Sequence, residues 1–474
     1  MARFDPAAAT AAYLAQLPPE AHAKAQAYIQ GGHWLLLWGC LVTLVVASLV
    51  LRSGVLPAVR DRLERRWPRP VSTPFILSLI YFAASWALSL PWDIYSRWWR
   101  ERSYGFSSQS LPAWLGEGVM ATAIGAFVGG VFLIALYALI RRAQRVWWAW
   151  AGGLTAVFIL FILLIQPVLI DPIFNSYTPA PAGPVREAVV EIAKASSVRP
   201  DRIFVYDGSK QSNLYTANVA GLFGTARIAM SDVMFQSGAD VPEVRGVVGH
   251  EMGHYVHLHA VWLTLGYSLI AMLVFWLIDR LFGPAARLLG ARGVRGLDDP
   301  AGMPVLAALA TVLMLAATPA VNTLSRCVEA DADTFSLQHV DEPDGLARAL
   351  VKTIAYRAAA PSWLEETVFY DHPAVARRIR KAMDWKASHN LARRCGGPPP
   401  SVSRRRLGNG SRRPGWRRSR PRASPRRSRT SGRPRSRASR GRSRPPRRRA
   451  RKPACRSGHR RGSCRSGRRS CPGR

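Results

Sequence analysis

The chain has 474 residues, 48% of them hydrophobic, and a formal net charge of +37. From Arg393 onward there are 31 Arg, one Lys and no acidic residue, which accounts for +32 of that total and leaves residues 1–392 at +5. The body is therefore not a polyanion binder by charge, and its two cysteines, Cys40 in an apolar run and Cys327 beside a motif, do not make a disulfide framework.

Residues 1–32 are mixed and mildly polar, with Pro18 and Pro19 dividing two short helical patterns. They lack the basic start and small-residue cleavage site of a secretory leader. Six apolar runs follow, at 34–51, 74–92, 119–140, 146–170, 261–278 and 303–324. Apolar runs of about 18 or more residues are long enough to cross a ~30 Å hydrocarbon core as helices. One such run could be a buried core helix. Six of them, with Trp34, Trp92, Trp147, Trp148 and Trp262 at their ends, fit aromatic belts at two membrane interfaces. The expected fold is a predominantly α-helical polytopic membrane protein of about six transmembrane helices, with small α/β elements carried on the helical base.

Those α/β elements are expected between the fourth and fifth spans, in the polar stretch 171–260. A helix is predicted near 185–196 and β-branched strands at 202–206 and 227–230. A further helix starts near Pro242 and carries His250-Glu251-Met252-Gly253-His254, which reads H-E-x-x-H. Histidines four apart leave one helix face a turn apart and can fill two corners of a zinc tetrahedron, while Glu251 can reach a metal-bound water as a base. The helix is expected to run into the fifth span almost without a break, which puts the metal close to the membrane surface or within a cavity between helices.

Zinc needs a third protein ligand and an open position for water. His257 and His259 continue along the same helix, which cannot fold back on its own next turn, so their removal is expected to leave the metal in place. A third histidine of the metzincin spacing would fall at Ala260. Glu329 is the better candidate. Two predicted spans lie between it and His254, so the chain returns to the membrane face it left, and antiparallel helices bring Glu329 to the histidines. Asp333, one turn on, suits a carboxylate that accepts the N–H of a ligand histidine; an ordinary solvated charge is the alternative.

At this point the residues resemble a known family. Asn322-Thr323-Leu324-Ser325-Arg326-Cys327-Val328-Glu329-Ala330-Asp331-Ala332-Asp333 is similar to the N-x-x-S-R-x-x-E-x-x-A-D signature of the membrane zinc peptidases that include CAAX prenyl proteases and bacterial heat-shock peptidases. Tyr370-Asp371-His372-Pro373, followed by Arg378-Ile379, resembles that family's late H-P-x-x-x-x-R-I element. In the N-terminal half, Phe4-Asp5-Pro6, Leu90-Pro91-Trp92, Tyr104-Gly105-Phe106 and Asp171-Pro172 are similar to the CAAX branch. The resemblance covers roughly residues 4–385.

It implies that one Zn2+ per chain is bound by His250, His254 and Glu329, a gluzincin arrangement, with Glu251 as base and His372 helping to stabilise the oxyanion. Arg378 would orient that donor or a substrate carboxylate, or form a plain surface ion pair. Two departures bear on the substrate. Eukaryotic members have seven spans around a large chamber where six are read here, and Thr216-Ala217-Asn218 stands where an N-A-Y strand often lies beside the cleft, which makes Asn218 a candidate for substrate pairing.

The expected activity is metal-activated hydrolysis of peptide bonds in substrates in or near the bilayer, either at a CAAX-like tail or in broader membrane-protein quality control. A catalytically silent scaffold and a nucleic-acid binder acting through the tail are the readings from other classes; intact Glu251 speaks against the first, and nucleic acid is not expected as a partner. The catalytic region is placed at 171–386 behind four spans in 1–170. Loops one, three and five carry 13 Lys and Arg against 5 in the N-terminal segment and loop two. The positive-inside rule would thus put the zinc region outside, whereas the resemblance implies a bacterial inner membrane with the catalytic face cytoplasmic, the expectation adopted. The tail, 387–474, is rich in Arg, Pro, Ser and Gly with scattered Cys, all favoured by GC-rich codons. It reads as the product of a shifted reading frame near 388–395 in preference to a genuine basic arm for nucleic acid or anionic lipid, and either way its composition predicts disorder.

Overall fold

A computed structural model describes residues 4–66, 71–221, 226–236 and 240–394, so the expectations for the tail beyond 394 lie outside the described residues. In chain order come α1 (Pro19–Ser53), α2 (Ser72–Tyr104), α3 (Leu111–Ala143) and α4 (Trp147–Phe174), all long and apolar enough to cross a membrane. Next are α5 (Pro184–Ala195) and the motif helix α6 (Val241–Val256). Two more spanning helices follow, α7 (His259–Leu288) and α8 (Pro300–His339). The helices α9 (Pro343–Arg357) and α10 (Val375–Arg394) complete the described residues.

The six spans correspond to the six apolar runs, and their surfaces are those of lipid-facing helices. Leu41, Val45 and Leu49 on α1, Val157 and Phe161 on α4, and Leu265, Leu269 and Leu273 on α7 are all exposed. In water that much apolar surface would drive association; against lipid it costs nothing. Between the helices, Leu77, Tyr137, Trp147, Ile278 and Met303 form a packed core. Trp147 departs from its expected place in an interfacial belt: it is fully buried and donates from Nε1 to Asp279 Oδ1 at 2.7 Å. Trp34 and Trp262 do face outward.

Three expectations about helix limits change. After Pro19 there is no second short helix, because that proline starts α1, which runs unbroken through the apolar run. The last span does not stop with its apolar residues. Its α-helical part, Met303–His339, has 37 residues, about 55 Å at 1.5 Å per residue against a ~30 Å hydrocarbon core. The excess carries Glu329 and Asp333 beyond the apolar part on one rigid rod. Finally, α6 does not run smoothly into α7: the chain breaks at His257 and Leu258, and Leu258 is left-handed with φ 54 and ψ 38.

The α/β part is a four-stranded sheet in the order β1-β2-β4-β3, made of Tyr177–Pro179, Ile203–Tyr206, Ala217–Ala220 and Arg227–Ser231 numbered in chain order. β2 and β4 pair in parallel, Ile203 opposite Ile228, while β1 and β3 are antiparallel edges. β2, β4 and α5 lie within two residues of their predicted places. β1 is too short to show a period. Ile203, Ile228 and Met230 from the sheet, Val189 and Ile192 from α5, and Val248 and Met252 from α6 share one core. That core anchors one face of α6 and leaves His250 and His254 on another.

α6 also packs very closely on α8 and α9. A Cβ on Gly246 would stand 2.7 Å from the Leu346 backbone nitrogen, and one on Gly253 would stand 3.0 Å from Ala332 Cα. Both contacts involve backbone that cannot move aside. Gly246→Ala should therefore destabilise the folded protein by about 1–3 kcal/mol through overpacking, read as a lowered unfolding temperature in detergent. An unchanged temperature would mean that the helices have room to separate.

Candidate active site

His250 and His254 leave α6 one turn apart, and their Nε2 atoms come to 3.2 Å from each other. From α8, Glu329 sets Oε2 3.2 Å from His250 Nε2 and Oε1 3.3 Å from His254 Nε2. The structure thus brings the three predicted ligands together, with their ligand atoms within 4.8 Å of one another.

These residues fit a divalent cation. Two imidazole nitrogens point at each other, and the buried Glu329 Oε2 has no hydrogen-bond partner among the described residues. Converging lone pairs with no shared donor are what a cation satisfies, and two histidines with one carboxylate are a ligand set that zinc takes while keeping a position open. Behind His250, Asp333 sets Oδ1 3.0 Å from Nδ1, so His250 can donate there and keep the Nε2 lone pair toward Glu329.

Arg378 departs from its expected setting. It is no surface ion pair: its side chain is 6% exposed, and it donates from Nε to Asp333 Oδ2 at 2.8 Å and from Nη2 to Asp333 Oδ1 at 2.7 Å. The reason is charge. Asp333 is fully buried, and a buried carboxylate needs a paired, hydrogen-bonded cation. Arg378 therefore acts on His250 through Asp333.

His372 reaches the same cleft from the loop before α10. Its Nε2 is 3.3 Å from Glu329 Oε1, and its Nδ1 pairs with Asp371 Oδ1 at 2.7 Å. Glu251 lines this cleft with His250, His372, Arg378 and Tyr215-Thr216-Ala217 of the segment entering β3. Asn218 is exposed on the strand just beyond, and is not among the cleft residues; strand alternation turns it to the face opposite Ala217.

Burial pushes the Glu251 carboxyl up, opposed by His250 and His254, which makes it a better base. Burial pulls His372 down, and Asp371 works the other way. For His250 burial also pulls down, yet in the cation-free protein the neighbouring Asp333 and Glu329 carboxylates outweigh it and raise the imidazole to about 9.

Two features were not legible beforehand. The glycines that let α6 approach α8 stand in plain sight in the sequence, but only a known partner helix gives them meaning. His259 looks in the sequence like a continuation of the motif helix, yet the break at Leu258 puts its Nδ1 3.0 Å from His254 Nδ1. His257, His259 and Asp331 form a second group of potential ligand atoms within 4.8 Å.

Comparisons with known proteins point to one family. Residues 6–176 match the family described as CAAX prenyl protease N-terminal, five membrane helices, and residues 179–386 match peptidase family M48. Four of the six spanning helices fall in the first of these segments. An uncharacterised metalloprotease of Bacillus subtilis, YhfN, is 29% identical over 377 residues, 77% of this chain and 86% of that protein. The CAAX prenyl protease 1 homolog of Arabidopsis thaliana is 25% identical over 72% of this chain and 82% of its own length. CAAX prenyl protease 1 of Saccharomyces cerevisiae is 25% identical over 74% and 78%. The crystal structure of Ste24p from S. mikatae has the same fold, with a TM-score of 0.63 at 22% identity, covering 78% of this chain and 90% of that one.

The raised His250 gives a sign that can be checked. In the cation-free protein its charge adds stability that is full below about 6.5 and fades as pH rises through about 9. A cation at Nε2 needs that proton removed, so zinc affinity should rise steadily between pH 7 and pH 9, with proton release on binding. Calorimetry in two buffers of different ionisation enthalpy would measure it; an affinity flat across that range would contradict the assignment.

Proposed function

This chain belongs to peptidase family M48, and from that premise we propose that it is a zinc-dependent membrane endopeptidase of the CAAX prenyl protease type. The observation that carries the proposal is the convergence of His250, His254 and Glu329, with Glu251 in the same cleft. The catalytic region is 171–386, set behind the four spans of 1–170. Names of relatives from Arabidopsis and yeast support a CAAX-like C-terminal segment as substrate, in preference to broad degradation of membrane proteins.

Zinc held by those three residues would supply a water of lowered pKa and polarise a peptide carbonyl. The chain's own groups do the rest. Glu251, its basicity raised by burial, takes a proton from the attacking water and returns it to the departing amide nitrogen. His372, held at Nδ1 by Asp371, presents Nε2 to the cleft and in its protonated form donates to the developing oxyanion. Arg378 and Asp333 keep His250 in its ligating orientation. β3 is an edge strand beside the cleft, and among the described residues only β4 pairs with it; an extended substrate can add to that edge by backbone hydrogen bonds, with Asn218 on the same strand.

The protein is proposed to lie in a bacterial inner membrane with this cleft on the cytoplasmic side. Support for the membrane comes from the six spanning helices, and for a bacterial setting from the relative in Bacillus subtilis. A reporter enzyme active only in the cytoplasm, fused after α4, should be active; an inactive fusion, with an externally active reporter working at the same point, would reverse the orientation.

Glu251→Gln should abolish peptide hydrolysis with zinc still near one per chain, since Glu251 is a base and not a ligand. Glu329→Ala should lose zinc together with activity. His372→Ala should keep zinc and lower kcat by about 100- to 1,000-fold. Loss of zinc from Glu251→Gln, or retention by Glu329→Ala, would overturn these roles.

A further inference from the structure

Leu258 occupies the left-handed region, φ 54 and ψ 38, where a residue with a Cβ is unfavourable. Strain of this kind persists where surrounding structure demands it, often at a functional site. Its effect here is specific. On an unbroken helix His254 and His259, five positions apart, would point about 140° apart. The break swings His259 back, so that its side chain is 6% exposed and its Nδ1 lies 3.0 Å from His254 Nδ1. The other nitrogen, Nε2, is 3.0 Å from Asp331 Oδ2 on α8, and His257 Nδ1 meets that same oxygen.

We propose that His259 and Asp331 form a hydrogen-bonded chain that fixes the tautomer and ring plane of His254 and thereby strengthens its hold on zinc. The proposal rests on the zinc reading of the site given above. Proton counting carries it. His254 turns Nε2 toward Glu329 and His250, and to offer a lone pair there it must carry its proton on Nδ1. His259 Nδ1 stands at hydrogen-bond distance to accept that proton. His259 then carries its own proton on Nε2, which donates to Asp331 Oδ2. Every donor in the chain meets an acceptor, and none is left over. His257 grips the carboxylate from the exposed side.

His257, His259 and Asp331 lie close enough to hold a cation of their own, but that occupancy conflicts with zinc at His254. A cation on His259 Nε2 would move the His259 proton to Nδ1, where it would face the Nδ1 proton of His254, donor against donor at 3.0 Å. One metal equivalent per chain is therefore expected. The two zinc histidines also differ in support, since His250 leans directly on a buried carboxylate whereas His254 reaches its carboxylate through a second imidazole.

The test is the zinc dissociation constant of the full chain in detergent, by competition with a chelator, together with the absorption spectrum of the cobalt-substituted protein. His259→Phe keeps a ring but removes both nitrogens, and should weaken zinc by about 10- to 100-fold and shift the cobalt bands. His259→Gln, whose amide both accepts and donates, should recover part of that loss. Asp331→Asn, on the half-exposed end of the chain, should weaken zinc less than His259→Phe and serves as the test if that variant does not fold. His257→Ala should stay within about threefold of the parent. A folded His259→Phe and Asp331→Asn that both bind zinc like the parent would overturn the proposal, as would a second metal equivalent that disappears in His257→Ala. A parent chain that binds no zinc would instead remove the zinc reading itself, and this inference with it.

Discussion

Asp333 is a fully buried carboxylate, 1% exposed, and the geometry of the site depends on how its charge is met. Removing such a group from water costs several kcal/mol, and the cost is offset only by good pairing. Arg378 of α10 supplies two charge-assisted hydrogen bonds, and His250 of α6 supplies a third. One carboxylate on α8 thereby ties three helices together. Because it takes the His250 proton at Nδ1, it also turns Nε2 toward Glu329. Packing makes this possible: Gly246 and Gly253 let α6 lie against α8 and α9 at a distance that no side chain there would permit.

The membrane enters as a constraint on length. α8 is far longer than the hydrocarbon core requires, and its surplus turns carry Glu329, Asp331 and Asp333 on a rod already anchored in lipid. α7 starts three residues after the end of α6, so the motif helix is joined to the membrane at its other end. Glu329 and the histidines therefore sit at neighbouring ends of two spanning helices, a rigid base for groups that must be held within fractions of an ångström. The small sheet adds an edge strand beside them, and its core with α5 fixes the rotation of α6.

Much of this could be read in the sequence, for identifiable reasons. The spans are long and apolar, so their existence does not depend on tertiary detail. Their even number between His254 and Glu329 was enough to bring Glu329 to the histidines, and the one-turn spacing to Asp333 placed it behind His250. Where the reading failed, three-dimensional context decided. Arg378 gave no sign of burial, because a charged residue four positions after Ala374 looks like any helix surface. His259 could not be placed without the left-handed Leu258, since nothing in Val256-His257-Leu258-His259 announces a break; glycine, the usual residue for that conformation, is absent. Trp147 looks like an interfacial anchor from its place at a helix end, and its hydrogen bond to Asp279 explains why it is buried instead.

The proposed zinc site among His250, His254 and Glu329 can be located directly. The direct measurement is an anomalous-scattering difference map at the zinc edge from crystals of the zinc-loaded chain. The account predicts a single peak about 2.0–2.2 Å from His250 Nε2, His254 Nε2 and a Glu329 carboxylate oxygen. A peak among His257, His259 and Asp331, with none between His250 and His254, would contradict it.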